Sequence, residues 1–150
     1  MNFDATTFSS SNLTGIGVIV RDCDGEAIGA LSMPILLAKS IAAVEALACR
    51  RAMQFEAEIG LSRVVFEGDS VVIINALTKA TVDLSSYGNI LEDIRVLVSG
   101  FQLVEFNHVP CICNLIADAL AKKASSVLGL QVWLEDIPFD IVPLVLRDVH

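Results

Sequence analysis

The sequence is short of positive charge and of long apolar runs. It has 10 Lys and Arg residues against 18 Asp and Glu residues, which gives a formal net charge of -8 at pH 7. Proteins bind phosphate backbones mainly through Lys and Arg, so this balance argues against a nucleic-acid partner. Hydrophobic residues make up 54% of the chain, yet no apolar run approaches the ~18 residues of a membrane helix. We therefore expect no association with a membrane.

Cysteine is scarce, and its spacing does not fit a metal site. The four cysteines are Cys23, Cys49, Cys111 and Cys113. A single residue separates the last two, whereas zinc sites use pairs that are separated by about two to four residues. We expect four free thiols.

The first residues have neither the basic segment nor the apolar core of a secretory signal, which predicts an intracellular location, cytoplasmic or nuclear.

The apolar pattern predicts one α/β domain with a mixed sheet and helices on both of its faces. Three strands joined by short turns form an antiparallel meander, and helices then alternate with strands. Strands are predicted at 1–8, 14–22, 26–37, 61–69 and 101–109, and helices at 40–59, 70–80, 86–100 and 113–127. The tail, 129–150, mixes apolar residues with prolines and predicts short irregular elements that pack on the domain or on a partner.

An acid interrupts the apolar face of the first predicted helix. Counted at 100° per residue from Ile41, the residues within about 60° include Glu45 beside apolar ones: Val44, Ala48, Ala52, Phe55 and Ile59. Glu56 falls on what we predict to be the polar face. Removing a carboxylate from water costs several kcal/mol unless a partner compensates. Glu45 therefore either snorkels at the edge of the face or meets a partner inside.

Three further acids can each be explained either by their local structural position or by a shared site. Asp4 interrupts the first strand, which would be unremarkable in a frayed or edge strand. Asp69 follows the fourth strand, where it or Ser70 could cap the next helix. Asp118 lies in the opening turns of the last helix, where the helix dipole favours an acid.

The alternative explanation is that Glu45 and these three acids converge at one end of the sheet. Sheets with parallel strands place their sites at that end. Four carboxylates in one place would repel each other and raise their own pKa values, unless divalent cations lay among them. A set of oxygen ligands selects Mg²⁺ or Mn²⁺, and two such ions about 4 Å apart suit displacement at phosphorus.

Two stretches of the chain resemble a known family. AAVEALACRRAMQFEAEIGLSRVVFEGDSVVIINAL and FNHVPCICNLIADALAKKA resemble the ribonuclease H-like domain of plant proteins. That family is related to type 1 ribonuclease H and is often found with reverse-transcriptase-derived sequences. The resemblance runs from residue 2 to about Ala124. It implies a ribonuclease H-like domain at 1–128 whose mixed sheet has five strands, and leaves 129–150 as the tail.

The resemblance also implies a set of site residues. Four acids would be catalytic and would hold two Mg²⁺ or Mn²⁺ ions: Asp4, Glu45, Asp69 and Asp118. His108 would assist proton transfer or product release, although a lone histidine at the end of a strand is more often structural. Asn114 and Ser70 would contact substrate, and Asn114 would equally suit the cap of the last helix.

The chain departs from the family pattern at positions that bear on substrate affinity. Ala5 replaces the usual glycine, and the segment 109–113 lacks a positive residue that could meet phosphate. No basic helix and loop of the kind that grips hybrids in bacterial relatives is visible. The nearest candidates are Arg50, Arg51, Lys122 and Lys123. We therefore expect weak binding of nucleic acid.

These observations predict a Mg²⁺-dependent endonuclease that cuts the RNA strand of RNA/DNA hybrids through two metal ions. The alternative is a catalytically inactive ribonuclease H-like module that binds nucleic acid or a protein. In that case Trp133 and Phe139 of the apolar tail would dock a protein partner.

Overall fold

A computed structural model describes residues 1–8, 12–36, 40–78, 87–126, 129–135, 137–138 and 140–144. Six strands form one sheet: β1 Asn2–Phe8, β2 Leu13–Arg21, β3 Ala27–Leu36, β4 Arg63–Gly68, β5 Leu103–His108 and β6 Gln131–Leu134. Four helices accompany them: α1 Ile41–Glu58, α2 Val71–Thr78, α3 Gly88–Val98 and α4 Leu115–Lys123. The predicted ends of β3, α2 and α4 at Leu37, at 79–80 and at Val127 lie outside the described residues.

The order of the strands across the sheet is β5-β4-β1-β2-β3-β6. The pairs β1–β2 and β2–β3 are antiparallel, as predicted for a meander. The pairs β1–β4 and β4–β5 are parallel, because a helical crossover brings the chain back before each new strand. The carboxyl ends of β1, β4 and β5 consequently meet at one edge of the sheet, as the sequence predicted.

Helix α4 lies unusually close to β2 on one face of the sheet. A Cβ atom added at Gly17 would stand 2.0 Å from the carbonyl oxygen of Ala117, and one at Gly15 would stand 1.9 Å from that of Ala121. The two glycines therefore leave the space that the helix backbone occupies. Ile19, Ile116 and Leu120 fill the small apolar core beside this contact. Because α4 carries Asp118, the glycines also fix the height of that acid above the sheet.

The other face of the sheet holds the main core under α1, α2 and α3, and it corrects two predictions about α1. Ile41 is 80% exposed, so it does not mark the middle of the buried face. Glu56 is only 1% exposed, so it does not belong to a polar face. The helix is covered both by the sheet and by its neighbouring helices, and the buried part of its surface is therefore broader than one apolar stripe.

The predicted count of five strands is wrong, because the tail adds a sixth. β6 pairs antiparallel with β3, from Ser32 opposite Gln131 to Gly29 opposite Leu134. Trp133 packs against the core beside α4, so the structure uses it within the domain. Phe139, which we predicted to dock a partner, lies outside the described residues. In the described part of the chain, no helix combines the length and the apolar character needed to cross a membrane.

Candidate active site

The register of the sheet brings Asp4 and Asp69 side by side. Asn2 of β1 is paired with Glu67 of β4 in parallel register. Two residues further along the chain from this pair, Asp4 lies in β1 and Asp69 directly follows the end of β4 at Gly68. Asp4 is in an inner strand and is 6% exposed, so the frayed or edge strand considered for it is wrong.

Glu45 of α1 joins this pair. One carboxylate oxygen from each of Asp4, Glu45 and Asp69 lies within 4.8 Å of the others. Glu45 is 7% exposed, and its Oε2 atom has no hydrogen-bond partner among the described residues. The side chain therefore does not snorkel to solvent. Three of the four acids that we predicted to converge thus meet at one point, and Asp118 is not part of this group.

Burial and mutual repulsion raise the pKa values of the three acids of this cluster. Burial, followed by the charges of Asp4 and Asp69, raises the pKa of Glu45 to about 9. Burial and then the charge of Asp69 raise the pKa of Asp4 to about 7. Burial also raises the pKa of Asp69, while the side-chain amide of Asn114 opposes the shift by hydrogen bonding. Burial is the largest cause of each shift, and the charges of neighbouring acids add to it.

Asp118 stands beside the three acids on the wall of the same pocket. This pocket of about 310 Å³ is lined by Asp4, Asp69, Cys111, Ile112, Leu115 and Asp118. The hydroxyl of Thr6 donates to Asp118 Oδ1 at 3.3 Å, and Lys122 Nζ lies 2.7 Å from Asp118 Oδ2. Asp118 is therefore held by Thr6, which the sequence analysis did not name, and by Lys122, which it named only as a candidate contact for phosphate. The spacing of Lys122, four residues after Asp118 on one helix, was the available signal.

Asn114 is buried between α4 and β1, with 1% of its surface exposed. Its Nδ2 donates to the carbonyl oxygen of Phe3 at 2.9 Å, and its Oδ1 accepts from Asn2 Nδ2 at 3.1 Å. Although Asn114 occupies the N-cap position of α4, its side chain makes no capping bond, so that explanation is wrong. The residue joins α4 to β1, and the substrate contact remains a prediction.

Ser70 and His108 flank Asp69. The hydroxyl of Ser70 accepts a hydrogen bond from the backbone of Ile73 at 3.4 Å, which supports the capping explanation for Ser70. His108 is exposed at the end of β5 and is paired with Gly68. It lies close enough to Asp69 to oppose the raised pKa of that acid. His108 thus has an open path to solvent beside the cluster.

The four basic residues that the sequence analysis named as candidate contacts for phosphate all form ion pairs. Their acidic partners stand at 2.9 Å for Arg50–Asp93, 3.0 Å for Arg51–Glu58, 2.7 Å for Lys122–Asp118 and 3.1 Å for Lys123–Asp140. Each pair largely cancels the field that the cation would present to phosphate. The net negative charge already predicts weak binding of nucleic acid. The ion pairs are a second reason to expect it.

Comparison with family models gives a match over residues 2–124 to the family described as reverse transcriptase-like. The chain belongs to the reverse transcriptase-like family. The match covers the described strands β1 to β5 and all four helices, and it ends before β6. A comparison with curated protein sequences found no significant match.

Solved structures of type 1 ribonuclease H are similar to this member of the reverse transcriptase-like family. RNase H1 from the halophilic archaeon Halobacterium salinarum is 26% identical, with a TM-score of 0.74 over 83% of this chain and 95% of that one. The N-terminal RNase H domain of a Mycobacterium tuberculosis protein is 16% identical, with a TM-score of 0.72 over 83% and 90%.

A third structure, the RNase H1 termed LC11, from compost, was solved in complex with an RNA/DNA hybrid. It is 21% identical, with a TM-score of 0.72 over 82% of this chain and 93% of that one. At such identities the second and third structures establish the shared fold alone. The ribonuclease H-like resemblance is thereby confirmed, whereas a plant origin stays a prediction.

Proposed function

We propose that this chain is a divalent-cation-dependent endonuclease that hydrolyses the RNA strand of RNA/DNA hybrids. The observation that carries the proposal is the convergence of Asp4, Glu45 and Asp69 within 4.8 Å, with Asp118 on the wall of the same pocket. Family membership and the ribonuclease H-like fold support the choice of substrate. The acids alone would indicate a cation site of unspecified purpose.

The residues of the cluster fit a hard divalent cation. Every donor is a carboxylate oxygen, which favours Mg²⁺ or Mn²⁺ over softer metals. Glu45 has a buried oxygen without a hydrogen-bond partner, and a bound cation would satisfy it. A cation would also remove the repulsion that raises the pKa values of Asp4 and Glu45. We infer that these acids and Asp118 hold two such ions.

Each side chain then has a definite task. The four acids would hold the cations, which would supply Lewis-acid stabilisation of the negative charge that develops on a phosphate during hydrolysis. Thr6 and Lys122 keep Asp118 facing the pocket. Asn114 fixes α4 against β1 and hydrogen-bonds Asp69. His108, exposed at the end of β5 beside Asp69, would assist proton transfer or product release.

Discrimination and affinity have separate sources in this proposal. RNA is distinguished from DNA by contacts to 2′-hydroxyl groups across the wide minor groove of the hybrid. Affinity comes from neutralising phosphates, and the paired state of Arg50, Arg51, Lys122 and Lys123 leaves little charge for that purpose. Binding should therefore be weak and should weaken further as salt rises.

The same ion pairs favour a second candidate function. A ribonuclease H-like module that binds a protein or nucleic acid without cleaving it would have no need of free basic residues near the pocket. Such a module has no physical reason, however, to keep three acids in a repulsive cluster at a cost in stability. We therefore rank it below the nuclease.

The deciding experiment follows cleavage of a labelled RNA/DNA hybrid at low salt with Mg²⁺ or Mn²⁺. The parent should cut the RNA strand, and Asp69→Asn should cut it at least about 100-fold more slowly, because several kcal/mol of transition-state stabilisation depend on the cations. Asp24→Asn is the matched control, since it removes the same charge from an exposed hairpin turn. Hybrid binding without cleavage by the parent would leave the binding module as the better account.

A further inference from the structure

A pair of exposed thiols stands beside the carboxylates. Cys111 and Cys113 lie on one 3-10 turn, Cys111–Cys113, between β5 and α4, and both are exposed and free. Cys111 lines the pocket of about 310 Å³ that also contains Asp4, Asp69 and Asp118. Cys113, on the same turn, is not part of that lining. Both thiols are therefore exposed, but only Cys111 lines the pocket that contains the acids.

The backbone holds Cys111 in this position. The amide of Cys113 donates to the carbonyl of Pro110 at 2.8 Å, and that of Asn114 donates to the carbonyl of Cys111 at 3.0 Å. Before the turn, the amide of Val109 donates to the carbonyl of Gly68 at 2.9 Å. After the turn, Nδ2 of the buried Asn114 donates to the carbonyl of Phe3 in β1. A group attached to Cys111 would therefore stay at the mouth of the pocket.

The acids in and beside the pocket favour a positively charged group. Among the described residues, Lys122 forms an ion pair with Asp118, and no ion pair involves Asp4, Glu45 or Asp69. Glu45, which lies within 4.8 Å of Asp4 and Asp69, is 7% exposed and has an oxygen without a hydrogen-bond partner among the described residues. A reagent with a positive charge is drawn towards such a place, and one with a negative charge is repelled.

We propose that Cys111 is a thiol-modification site selective for disulfides of small aminothiols, whose ammonium group would enter the carboxylate pocket. The Cys111 thiolate attacks one sulfur of a disulfide such as cystamine, and the sulfur–sulfur bond of the reagent breaks. A mixed disulfide forms, and the cysteamine thiolate that leaves takes up the proton that Cys111 released. The reaction needs no other oxidant, and an added thiol reverses it.

The attached ammonium competes with divalent cations for the carboxylates. That consequence rests on the proposed function, whereas selective modification of Cys111 does not. Cys23 and Cys113 are the internal references, since both are exposed but lie outside the pocket lining. Cys49 is fully buried and should not react in the folded protein.

The test compares three disulfides on the intact chain at low salt: cystamine, hydroxyethyl disulfide and glutathione disulfide, with peptide mapping by mass spectrometry. At Cys111 we expect cystamine to react about tenfold faster than glutathione disulfide, in proportion to the local field. The preference should fade as salt rises, and it should be smaller at Cys23 and Cys113. Equal rates for the three reagents at Cys111, or a preference no greater than at Cys113, would overturn the proposal.

A second arm measures Mn²⁺ binding before and after treatment with cystamine. The parent and Cys113→Ser should lose affinity on treatment and regain it with dithiothreitol, whereas Cys111→Ser should be unaffected. Loss of affinity in treated Cys111→Ser, or full affinity in modified parent protein, would contradict the assignment. If untreated protein binds no Mn²⁺, the proposed function fails, but peptide mapping still decides the modification site.

Discussion

Two glutamates on α1 are both buried, but they differ in their charged neighbours. Glu45 and Glu56 are eleven positions apart, which is close to three helical turns, so they share a side of the helix. Glu45 is 7% exposed and Glu56 is 1% exposed, and each has at least one carboxylate oxygen without a hydrogen-bond partner among the described residues. Burial raises the pKa of Glu45 to about 9 and that of Glu56 to about 7.

The difference lies in the charges around them. The charges of Asp4 and Asp69 raise the pKa of Glu45 further, whereas the α-amino group of Met1 lowers that of Glu56. Glu56 thus has a positive neighbour, and Glu45 has only acids close by in its cluster. A buried, protonated glutamate is therefore not by itself a sign of a site. The convergence of several acids, which leaves room for a cation of higher charge, is the informative feature.

The largest expected difference between the two glutamates is in hybrid cleavage. Glu45→Gln keeps the shape of the side chain but removes a cation ligand, so cleavage should fall by about 100-fold or more. Glu56→Gln makes the same chemical change away from the cluster and should cleave near the parental rate. Equal losses in both variants would mean that burial, and not the cluster, explains the effect.

The next expected effect concerns stability against pH in a chelator. A raised pKa means that the folded protein keeps a proton that the unfolded chain loses, so the stability from that proton disappears as pH rises. The loss should extend through about pH 7 for Glu56 and about pH 9 for Glu45. It should amount to a few kcal/mol, since one pKa unit is worth about 1.4 kcal/mol.

Urea unfolding from about pH 5 to about pH 9.5 measures this loss. Both glutamates contribute to the decline below about pH 7, and of the two only Glu45 contributes above it. Glu56→Gln should therefore make the decline shallower only below about pH 7, whereas Glu45→Gln should make it shallower over the whole range. A decline that is the same in the parent and in both variants would show that neither glutamate causes it.

A somewhat smaller effect is expected from added Mg²⁺ on the melting temperature. At a concentration 100 times its Kd, a ligand of the folded state stabilises by about 2.7 kcal/mol, or roughly 5 to 10 °C for a chain of this size. The parent and Glu56→Gln should show this rise, and Glu45→Gln should not. The comparison fails if Mg²⁺ raises the melting temperature of Glu45→Gln as much as that of the parent.

The smallest expected effect concerns the positive charge that Lys122 places beside Asp118. Lys122 gives Asp118 a positive neighbour, much as Met1 does for Glu56. An exposed pair of this kind contributes at most about 1 kcal/mol, so Lys122→Gln should barely change stability. It should strengthen Mn²⁺ binding by about twofold, because a competing charge leaves Asp118. Lys123→Gln, whose lysine pairs with Asp140 instead, should leave Mn²⁺ binding unchanged.

The sequence was sufficient for the strands and helices of the conserved architecture, because their apolar periodicities are long and regular. It failed for Glu56, which we assigned to a polar face because of its charge, although it lies about 60° from Ile41, at the border of the apolar stripe, and is buried. It failed for β6 because Gln131–Leu134 is short and becomes a strand only by pairing with β3, a contact that local propensity does not encode.

In the candidate site, too, the sequence predicted residues that are unusual in their own element and missed one whose role depends on packing between distant elements. The acids Asp4, Glu45, Asp69 and Asp118 stood out because each is unusual in its own element. The hydroxyl of Thr6, which contacts Asp118, gave no such signal, since threonine is ordinary in a strand. Its role depends on the position of α4, which two glycines in β2 allow. Residues that act through distant packing are thus the ones that sequence patterns miss.

The most direct test of the central claim is a count of bound Mn²⁺ by electron paramagnetic resonance, in which bound ions lose the signal of free ions. The account predicts that the parent and Glu56→Gln bind Mn²⁺ alike, and that Glu45→Gln and Asp69→Asn bind it far more weakly. Binding by Glu45→Gln equal to that of the parent, or no binding by the parent, would contradict the claim that the clustered acids hold divalent cations.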